Sequence, residues 1–161
     1  MTAFWDPRPD PTRYGPPVTK IRVRTTLDAS PAQVWVVLSD LRSHVDWMHD
    51  AVAIRFLTDA TFGVGATFEC DTKVGPLRLT DVMEITEWSP GKAMGVRHVG
   101  LVTGTGRFTL GKARGGGTRF SWTEKLTFPW WMAGPAGAWV AKPVLRRIWK
   151  RNLRNLADQL G

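Results

Sequence analysis

The sequence predicts an α+β fold in which a curved antiparallel sheet of about seven strands packs against a long C-terminal helix. Segments between positions 18 and 128 alternate apolar and polar side chains, which is the pattern of half-buried strands. Turns rich in glycine and proline separate these segments, so neighbouring strands are expected to pair. Apolar residues near the end of the chain recur every three or four positions, as in a helix. Because a helix across a curled sheet seldom fills its concave side, we expect an internal cavity.

Composition limits the class of protein. The 161 residues suit one domain, and 43% apolar with 22% charged residues is typical of a globular chain. No apolar run approaches the roughly 20 residues that span a bilayer. The N-terminus lacks a basic start followed by an apolar core, so we expect no secretory signal. The single cysteine, Cys70, cannot form an internal disulfide, which fits a reducing cytoplasm.

The first predicted elements follow an irregular arm. Residues 1–17 hold five of the eleven prolines, so we expect a Pro-rich N-terminal arm followed by a single domain over residues 18–161. Alternation over residues 21–27 predicts the first strand. Ser30 is a favourable N-cap and Pro31 fits the first helical position, so a helix is expected to begin there. A second short helix is expected directly after it.

The remaining strands follow one another through tight turns. Alternating segments on either side of Gly75-Pro76 predict a hairpin. Further turns are expected at SPGK, residues 89–92, and at the three glycines, residues 115–117. The last predicted strand covers TRFSWTEKLTF, residues 118–128.

A long helix is predicted at the end of the chain. Ile148, Asn152 and Leu156 lie on one stripe at helical spacing, with basic residues on the opposite side. Pro143 would break a helix interior, so we expect the regular part to start or kink near it. The preceding FPWWMAGPAGAWVAK, residues 128–142, is expected to form a loop with one helical turn or a mobile flap.

One charged residue interrupts the apolar face of the last strand. At a period of two, Glu124 shares its face with Phe120, Trp122, Leu126 and Phe128. An ionised carboxylate is costly to bury without a partner. Because four apolar neighbours support the register, we interpret Glu124 as either a paired structural charge or part of a site.

Three further polar residues fall on inward faces, namely Asp81, His98 and Asn152. With Glu124 they are candidates to meet in one cavity. Each could also be a satisfied buried polar group, or lie at the solvated end of its strand. His98 near Glu124 or Asp81 would form a general acid–base pair in which the carboxylate orients the imidazole.

Apolar residues on the same inward faces are expected to contact a ligand together with Asn152: Met83, Phe108, Trp122 and Ile148. Gly104 and Gly106 share the inward face of Phe108. Because a glycine has no side chain, these two positions are expected to leave room for a ligand or for the crossing helix.

The sequence is rich in tryptophan, with nine residues, which suggests a roomy aromatic interior or an apolar rim around a mouth. Trp47 is either an aromatic wall of the cavity or a core residue that anchors the two short helices. Trp130, Trp131 and Trp139 lie in PWWMAGPAGAW. This segment is either a gate that rests on an anionic membrane, with Trp131 near the ligand, or an aromatic plug packed against the sheet.

Positive charge is concentrated near the C-terminus. The net charge is +8, and residues 142–154 hold six basic residues and no acidic one. Such a segment attracts nucleic acid, an anionic membrane or an acidic protein, or it is simply the solvated face of a helix. No nucleic-acid-binding motif is present, so we expect no nucleic-acid partner. Peripheral membrane contact through this helix stays a candidate.

The order and spacing of several segments resemble the polyketide cyclase and dehydrase group of the START-like (SRPBCC) superfamily. The matching segments are DASPAQVWVVLSDLRSHVDWM at 28–48, VGATFE at 64–69, VMEITEWSPGK at 82–92, GGGTRFSWTEKL at 115–126 and LRRIWKRNLRNLADQL at 145–160. The resemblance implies a helix-grip fold with a cavity for a hydrophobic ligand. It does not imply one reaction, because such proteins include binders, carriers and cyclases.

Two classes of function fit these observations. The first is binding, transport or presentation of a small hydrophobic or aromatic ligand, such as a lipid or polyketide. The alternative is an enzyme of the polyketide cyclase/dehydratase type, a lyase or isomerase, in which His98, Glu124 and Asp81 carry the chemistry. A third is a protein-interaction module that uses the basic helix. The sequence has no G-x-S-x-G, phosphate loop or metal-spaced cluster, so we expect no cofactor and no metal.

Overall fold

The computed structural model describes residues 18–161, apart from the side chains of residues 130, 132–136 and 138; the expected arm at residues 1–17 lies outside this part. Seven antiparallel strands of the described chain form one sheet in the order β1-β7-β6-β5-β4-β3-β2. They are β1 Val18–Leu27, β2 Ala51–Phe56, β3 Thr67–Val74, β4 Leu77–Ser89, β5 Ala93–Val99, β6 Thr103–Lys112 and β7 Thr118–Thr127. The sheet and its predicted hairpins are confirmed.

Successive strands from β2 to β7 pair with their neighbours in sequence, and β7 also pairs with β1. The register is interrupted twice, between Ala51 and Ala53 in β2 and between Ile85 and Glu87 in β4. Bulges of this kind bend a strand and increase its twist. They therefore help the sheet to curl around one face.

Two short helices connect β1 to β2. Helix α1, Pro31–Ser39, begins as predicted, because Ser30 and Gln33 form a capping box. The Gln33 N–H donates to Ser30 Oγ at 3.3 Å, and the Ser30 N–H donates to Gln33 Oε1 at 2.9 Å. A 3₁₀ turn, Leu41–Ser43, leads into helix α2, His44–Trp47.

The C-terminal helix is longer than predicted. Helix α3 runs from Trp130 to Leu160 and passes through Pro143. The expected start near that proline and the expected loop or flap over residues 128–142 are therefore wrong. Pro143 lies on the exposed side of α3. There the carbonyl group of Trp139, four residues earlier, can bond to water instead of the missing N–H.

The expected aromatic plug is also wrong for the two tryptophans of this segment whose side chains are described. Trp131 is 59% exposed and Trp139 is 86% exposed. An apolar side chain does not have to be buried, so composition alone did not settle their placement. The C-terminal half of α3 does pack on β1 and α2, with Trp149, Asn152 and Leu156 buried. Within residues 18–161, no helix is long and apolar enough to cross a bilayer.

Candidate ligand cavity

A cavity of about 290 Å³ lies between the concave face of the sheet and α3. Most of its lining is apolar. Every strand except β1 contributes residues to it, and α3 contributes as well. Several polar residues also line it: His44, Asp50, Cys70, Thr72, Asp81, His98 and Glu124, together with Arg107, whose guanidinium group pairs with Glu87. The three residues expected to carry chemistry, Asp81, His98 and Glu124, are therefore brought to one cavity.

Glu124 is a paired carboxylate in the wall of this cavity. It is 5% exposed and points inward from β7, as its position between Trp122 and Leu126 predicted. The Trp122 Nε1–H donates to Glu124 Oε1 at 2.7 Å, and the His98 ring Nε2 lies 3.1 Å from Glu124 Oε2. Each carboxylate oxygen thus has a donor, which offsets the cost of burial.

The neighbouring strand leaves space for this carboxylate. Gly106 of β6 pairs with Glu124, and a Cβ atom at Gly106 would lie 2.3 Å from Glu124 Oε1. At Gly104 a Cβ atom would lie 2.0 Å from the backbone oxygen of Lys125. The backbone of β7 closes the space at Gly104, so the expectation that this glycine leaves room for a ligand or for α3 is wrong. Gly106 does line the cavity, and the Glu124 carboxylate lies against it there.

His98 has opposing influences on its pKa. Burial lowers it and is the largest single cause, but the hydrogen bond and charge of Glu124, with a smaller contribution from the charge of Asp81, together outweigh burial. The pKa of His98 therefore lies above the ordinary histidine value. Since a carboxylate only accepts, Nε2 carries the proton that bonds to Glu124. Among the described residues, no hydrogen bond is made to the other ring nitrogen, Nδ1.

Asp81 reaches the cavity from β4 and is 5% exposed. It pairs in register with Cys70 of β3. Within the described chain its single hydrogen bond is a long one, from the Val102 N–H to Oδ1 at 3.4 Å. A Cβ atom at Gly100 would lie 2.6 Å from the same oxygen. Each inward carboxylate of the sheet therefore lies against a glycine.

Aromatic rings form one wall of the cavity. The indole rings of Trp122 and Trp149 stack with centroids 4.9 Å apart, and Phe108 meets Trp122 edge-on at 5.2 Å. These contacts are typical of stable aromatic pairs and hold the rings in fixed positions. Met83, which pairs with His98 across β4 and β5, lines the cavity as well.

Four residues that the sequence assigned to ligand contact lie outside the lining. Trp47 is fully buried behind the wall, with its ring 6.3 Å from that of Trp122. Trp131 is exposed on α3, and Ile148 borders a separate surface groove with Arg147, Arg151 and Arg154. Asn152 is buried beside the cavity and does not line it.

Asn152 instead fastens α3 to the loop after α2. Its Oδ1 accepts from the His49 N–H at 2.9 Å, and its Nδ2 donates to Asp50 Oδ1 at 2.6 Å. Asn155 donates to the carbonyl oxygen of Trp47 at 3.0 Å. The helix therefore positions the Asp50 carboxylate that lines the cavity.

Sequence reasoning missed four polar lining residues: His44, Asp50, Cys70 and Thr72. For Cys70 and Thr72 a signal existed, because alternation along β3 places them on the face opposite to Glu69 and Asp71, two half-buried carboxylates that pair with Arg55. His44 and Asp50 lie in a short helix and a loop, where no period marks the inward side. Burial raises the pKa of Cys70 to about 11, so this residue is present as a neutral thiol.

Comparison with known proteins supports the same family resemblance. The sequence model of one family, described as polyketide cyclase/dehydrase and lipid transport, matches residues 18–161. Among curated proteins, none gives a significant match.

Solved structures share the fold at low sequence identity. TTHA0849 from Thermus thermophilus is similar with a TM-score of 0.76 and 14% identity, over 88% of this chain and 96% of that one. The Zhui aromatase/cyclase from a Streptomyces species has a TM-score of 0.68 and 16% identity, over 89% of this chain and 93% of that one. Ara h 8.0201 has a TM-score of 0.66 and 10% identity, over 89% of this chain and 98% of that one. At these identities the likeness concerns the helix-grip fold alone.

Proposed function

This chain belongs to the polyketide cyclase/dehydrase and lipid transport family, and from that premise we propose that it binds a small hydrophobic or aromatic ligand, such as a lipid or polyketide, in its cavity. The observation that carries the proposal is the cavity itself, about 290 Å³ and largely apolar. Its volume is near the lower end of the roughly 300–1,000 Å³ common for small-molecule pockets. That size supports a single compact ligand.

The polar groups of the cavity support a ligand with a polar end. An aromatic body that buries about 200 Å² gains about 5 kcal/mol, whereas association costs at least about 4 kcal/mol. Apolar contact alone therefore gives weak binding. A hydrogen bond between the ligand and the polar residues His98, Glu124 and Asp81 would add affinity and fix the orientation of the ligand.

Native mass spectrometry of the purified protein, followed by extraction, tests this proposal. We expect a retained small apolar molecule. A Met83→Trp variant should lose it, because the larger ring occupies the cavity. Val82→Trp is the matched control, since Val82 precedes Met83 on β4 and points to the opposite face. Equal retention by both variants would contradict binding in this cavity.

A second candidate function is acid–base catalysis of the cyclase or dehydratase type, favoured by the 3.1 Å contact between His98 and Glu124. In this reaction Nδ1 of neutral His98 takes a proton from a carbon next to a ketone. The imidazolium, stabilised by Glu124, then gives a proton to a hydroxyl group that leaves as water. The Asp81 carboxylate would place a second negative charge near the imidazole ring of His98.

The products bound by His98→Ala distinguish the two functions. If the protein is a dehydratase, this variant should retain a molecule heavier by one water than the molecule bound to the wild type. If it is a binder, both proteins should retain the same molecule. Identical ligands would therefore remove the enzymatic candidate.

Peripheral membrane contact through α3 is part of the proposed function. Trp139 and Val140 are 86% and 66% exposed. Val144 is both exposed and part of the cavity lining, so the apolar surface is continuous with the cavity. Basic side chains of the same helix, such as Lys142 and Arg146, are exposed too. Apolar and basic groups together favour the surface of an anionic membrane.

Sedimentation with lipid vesicles tests this contact. We expect binding to vesicles that contain phosphatidylglycerol and little binding to pure phosphatidylcholine. Val140→Ser should weaken it, while Val36→Ser should not, because Val36 is equally exposed (69%) but lies on α1. The same loss for both variants would contradict docking through α3.

A further inference from the structure

The cavity and the whole chain have opposite charge. The chain carries a net charge of +8, yet three carboxylates line the cavity, those of Asp50, Asp81 and Glu124. His98 lies against one of them, with its Nε2 3.1 Å from Glu124, and this ring brings at most one positive charge to the lining. The lining therefore holds more negative than positive charge.

Two other basic residues of the lining do not change this balance. Burial lowers the pKa of His44 to about 4, so this ring is neutral at physiological pH. Arg107 donates from Nε and one terminal nitrogen to Glu87, at 2.6 and 2.9 Å, and its side chain is 53% exposed. Its positive charge is therefore paired on the outer face of the sheet.

Asp81 is the carboxylate with the weakest partners. Only 5% of its surface is exposed. Within the part of the chain that the structure describes, it accepts one hydrogen bond, from the Val102 N–H at 3.4 Å. Glu124 by contrast has donors at 2.7 and 3.1 Å. A carboxylate that lines an apolar cavity without a close donor is costly unless a ligand supplies one.

Resting on the proposed binding function, we propose that the ligand carries a protonated amine that pairs with Asp81, attached to an aromatic or aliphatic body that packs against Trp122 and Phe108. An ammonium group offers several donors and forms a charge-assisted hydrogen bond with a carboxylate. Aromatic rings tolerate a nearby cation better than aliphatic walls do. An anionic ligand would meet three carboxylates and a single imidazole.

Calorimetric titration at pH 7 with three probes of one shape tests the inference: 2-naphthylmethylamine, 2-naphthylmethanol and 2-naphthoate. We expect the amine to bind about tenfold more tightly than the alcohol and the carboxylate to bind most weakly. The net charge of +8 works against this order, so non-specific attraction cannot produce it. Asp81→Asn should remove the preference for the amine, so that the amine and the alcohol bind to this variant with similar affinity.

Asp71→Asn is the matched control, because Asp71 lies on the outer face of β3 and pairs with Arg55. It should keep the preference for the amine. Equal affinity of wild type for the amine and the alcohol would overturn the inference but leave the proposed binding function intact. A preference that survives in Asp81→Asn would also overturn it. If none of the probes binds, the proposed binding function itself fails, and the inference fails with it.

Discussion

His44 and His98 line the same cavity, and each is shielded from solvent. His44 is 6% exposed, and the side chain of His98 is 10% exposed. Nε2 of His44 donates to the carbonyl oxygen of Leu38 at 2.8 Å, whereas Nε2 of His98 donates to Glu124 at 3.1 Å. A neutral acceptor does not offset the cost of a buried charge, but a carboxylate does.

The two rings therefore have opposite pKa shifts. Burial, only partly opposed by the bond to Leu38, lowers the pKa of His44 to about 4. Burial acts on His98 too, but the hydrogen bond and charge of Glu124 raise its pKa overall. The partner, more than the degree of burial, decides which ring can carry a proton in this cavity. His98 is thus the ring suited to bind or transfer one.

The largest expected effect comes from His44. Because its folded pKa is about 4 and its unfolded value is near 6.5, the unfolded chain binds the additional proton between these values. Its contribution to stability is complete above pH 6.5 and is lost as the pH falls, by about 3 kcal/mol at pH 4. His44→Gln keeps a donor for Leu38 but does not titrate. Urea unfolding at pH 7 and pH 4 should show a smaller loss in this variant, and an unchanged loss would contradict the assignment.

A change at Gly106 should disturb His98 without touching its ring. A Cβ atom there would lie 2.3 Å from Glu124 Oε1, so Gly106→Ala should displace the carboxylate and cost about 2 kcal/mol. Gly111→Ala on the same strand should cost less than about 0.5 kcal/mol, because its Cβ atom would have its nearest neighbour at 4.0 Å. Denaturant titration of both variants is the measurement. Similar losses would show that Glu124 is not held as described.

Glu124→Gln should make His98 resemble His44. With the charge removed, burial dominates, so the pKa of His98 should fall below the ordinary histidine value. In the wild type the raised pKa contributes stability that is complete below about pH 6.5 and is lost as the pH rises through the folded pKa. The variant should therefore lose about 1.5 kcal/mol at pH 5.5 and less at pH 8.5. A larger deficit at the higher pH would contradict this sign.

Asp81→Asn should have the smallest effect on the difference in pKa between His98 and His44. The charge of Asp81 is the last contributor to the raised pKa of His98. The pKa of His98 should thus decrease, but by less than in Glu124→Gln. Histidine NMR titration measures both shifts, and Asp71→Asn on the outer face should leave His98 unchanged. If Asp81→Asn moved the pKa of His98 more than Glu124→Gln did, Glu124 would not be its main partner.

The difference between the two histidines also explains what the sequence could predict. His98 and Glu124 lie on strands, where a period of two marks the inward face, and both were identified as inward polar residues. His44 lies in a helix of four residues, which is too short for a helical stripe to identify its buried side. The contact between His98 and Glu124 joins two strands separated by β6, and that distance depends on the curl of the sheet.

The long C-terminal helix was predicted correctly, but its start was placed too late in the chain, and the reason differs from that for His44. The sequence contains a proline at position 143, and local propensity favours a break there. The structure keeps the helix because that side of it faces solvent and its inner side packs on β1. Tertiary packing thus outweighs a local preference. The same packing brings Asn152 to Asp50, a contact between residues 102 positions apart that no local pattern predicts.

An NMR titration of both histidine side chains, with and without saturating 2-naphthylmethanol, tests the central claim most directly. Without the probe, His98 should titrate above the ordinary histidine value and His44 near pH 4. The probe should shift the resonances of His98, because the proposed ligand lies against His98, Glu124 and Asp81. If His98 titrated below the ordinary value, or if the probe left its resonances unchanged, the account of this cavity as a ligand site built around His98 would be contradicted.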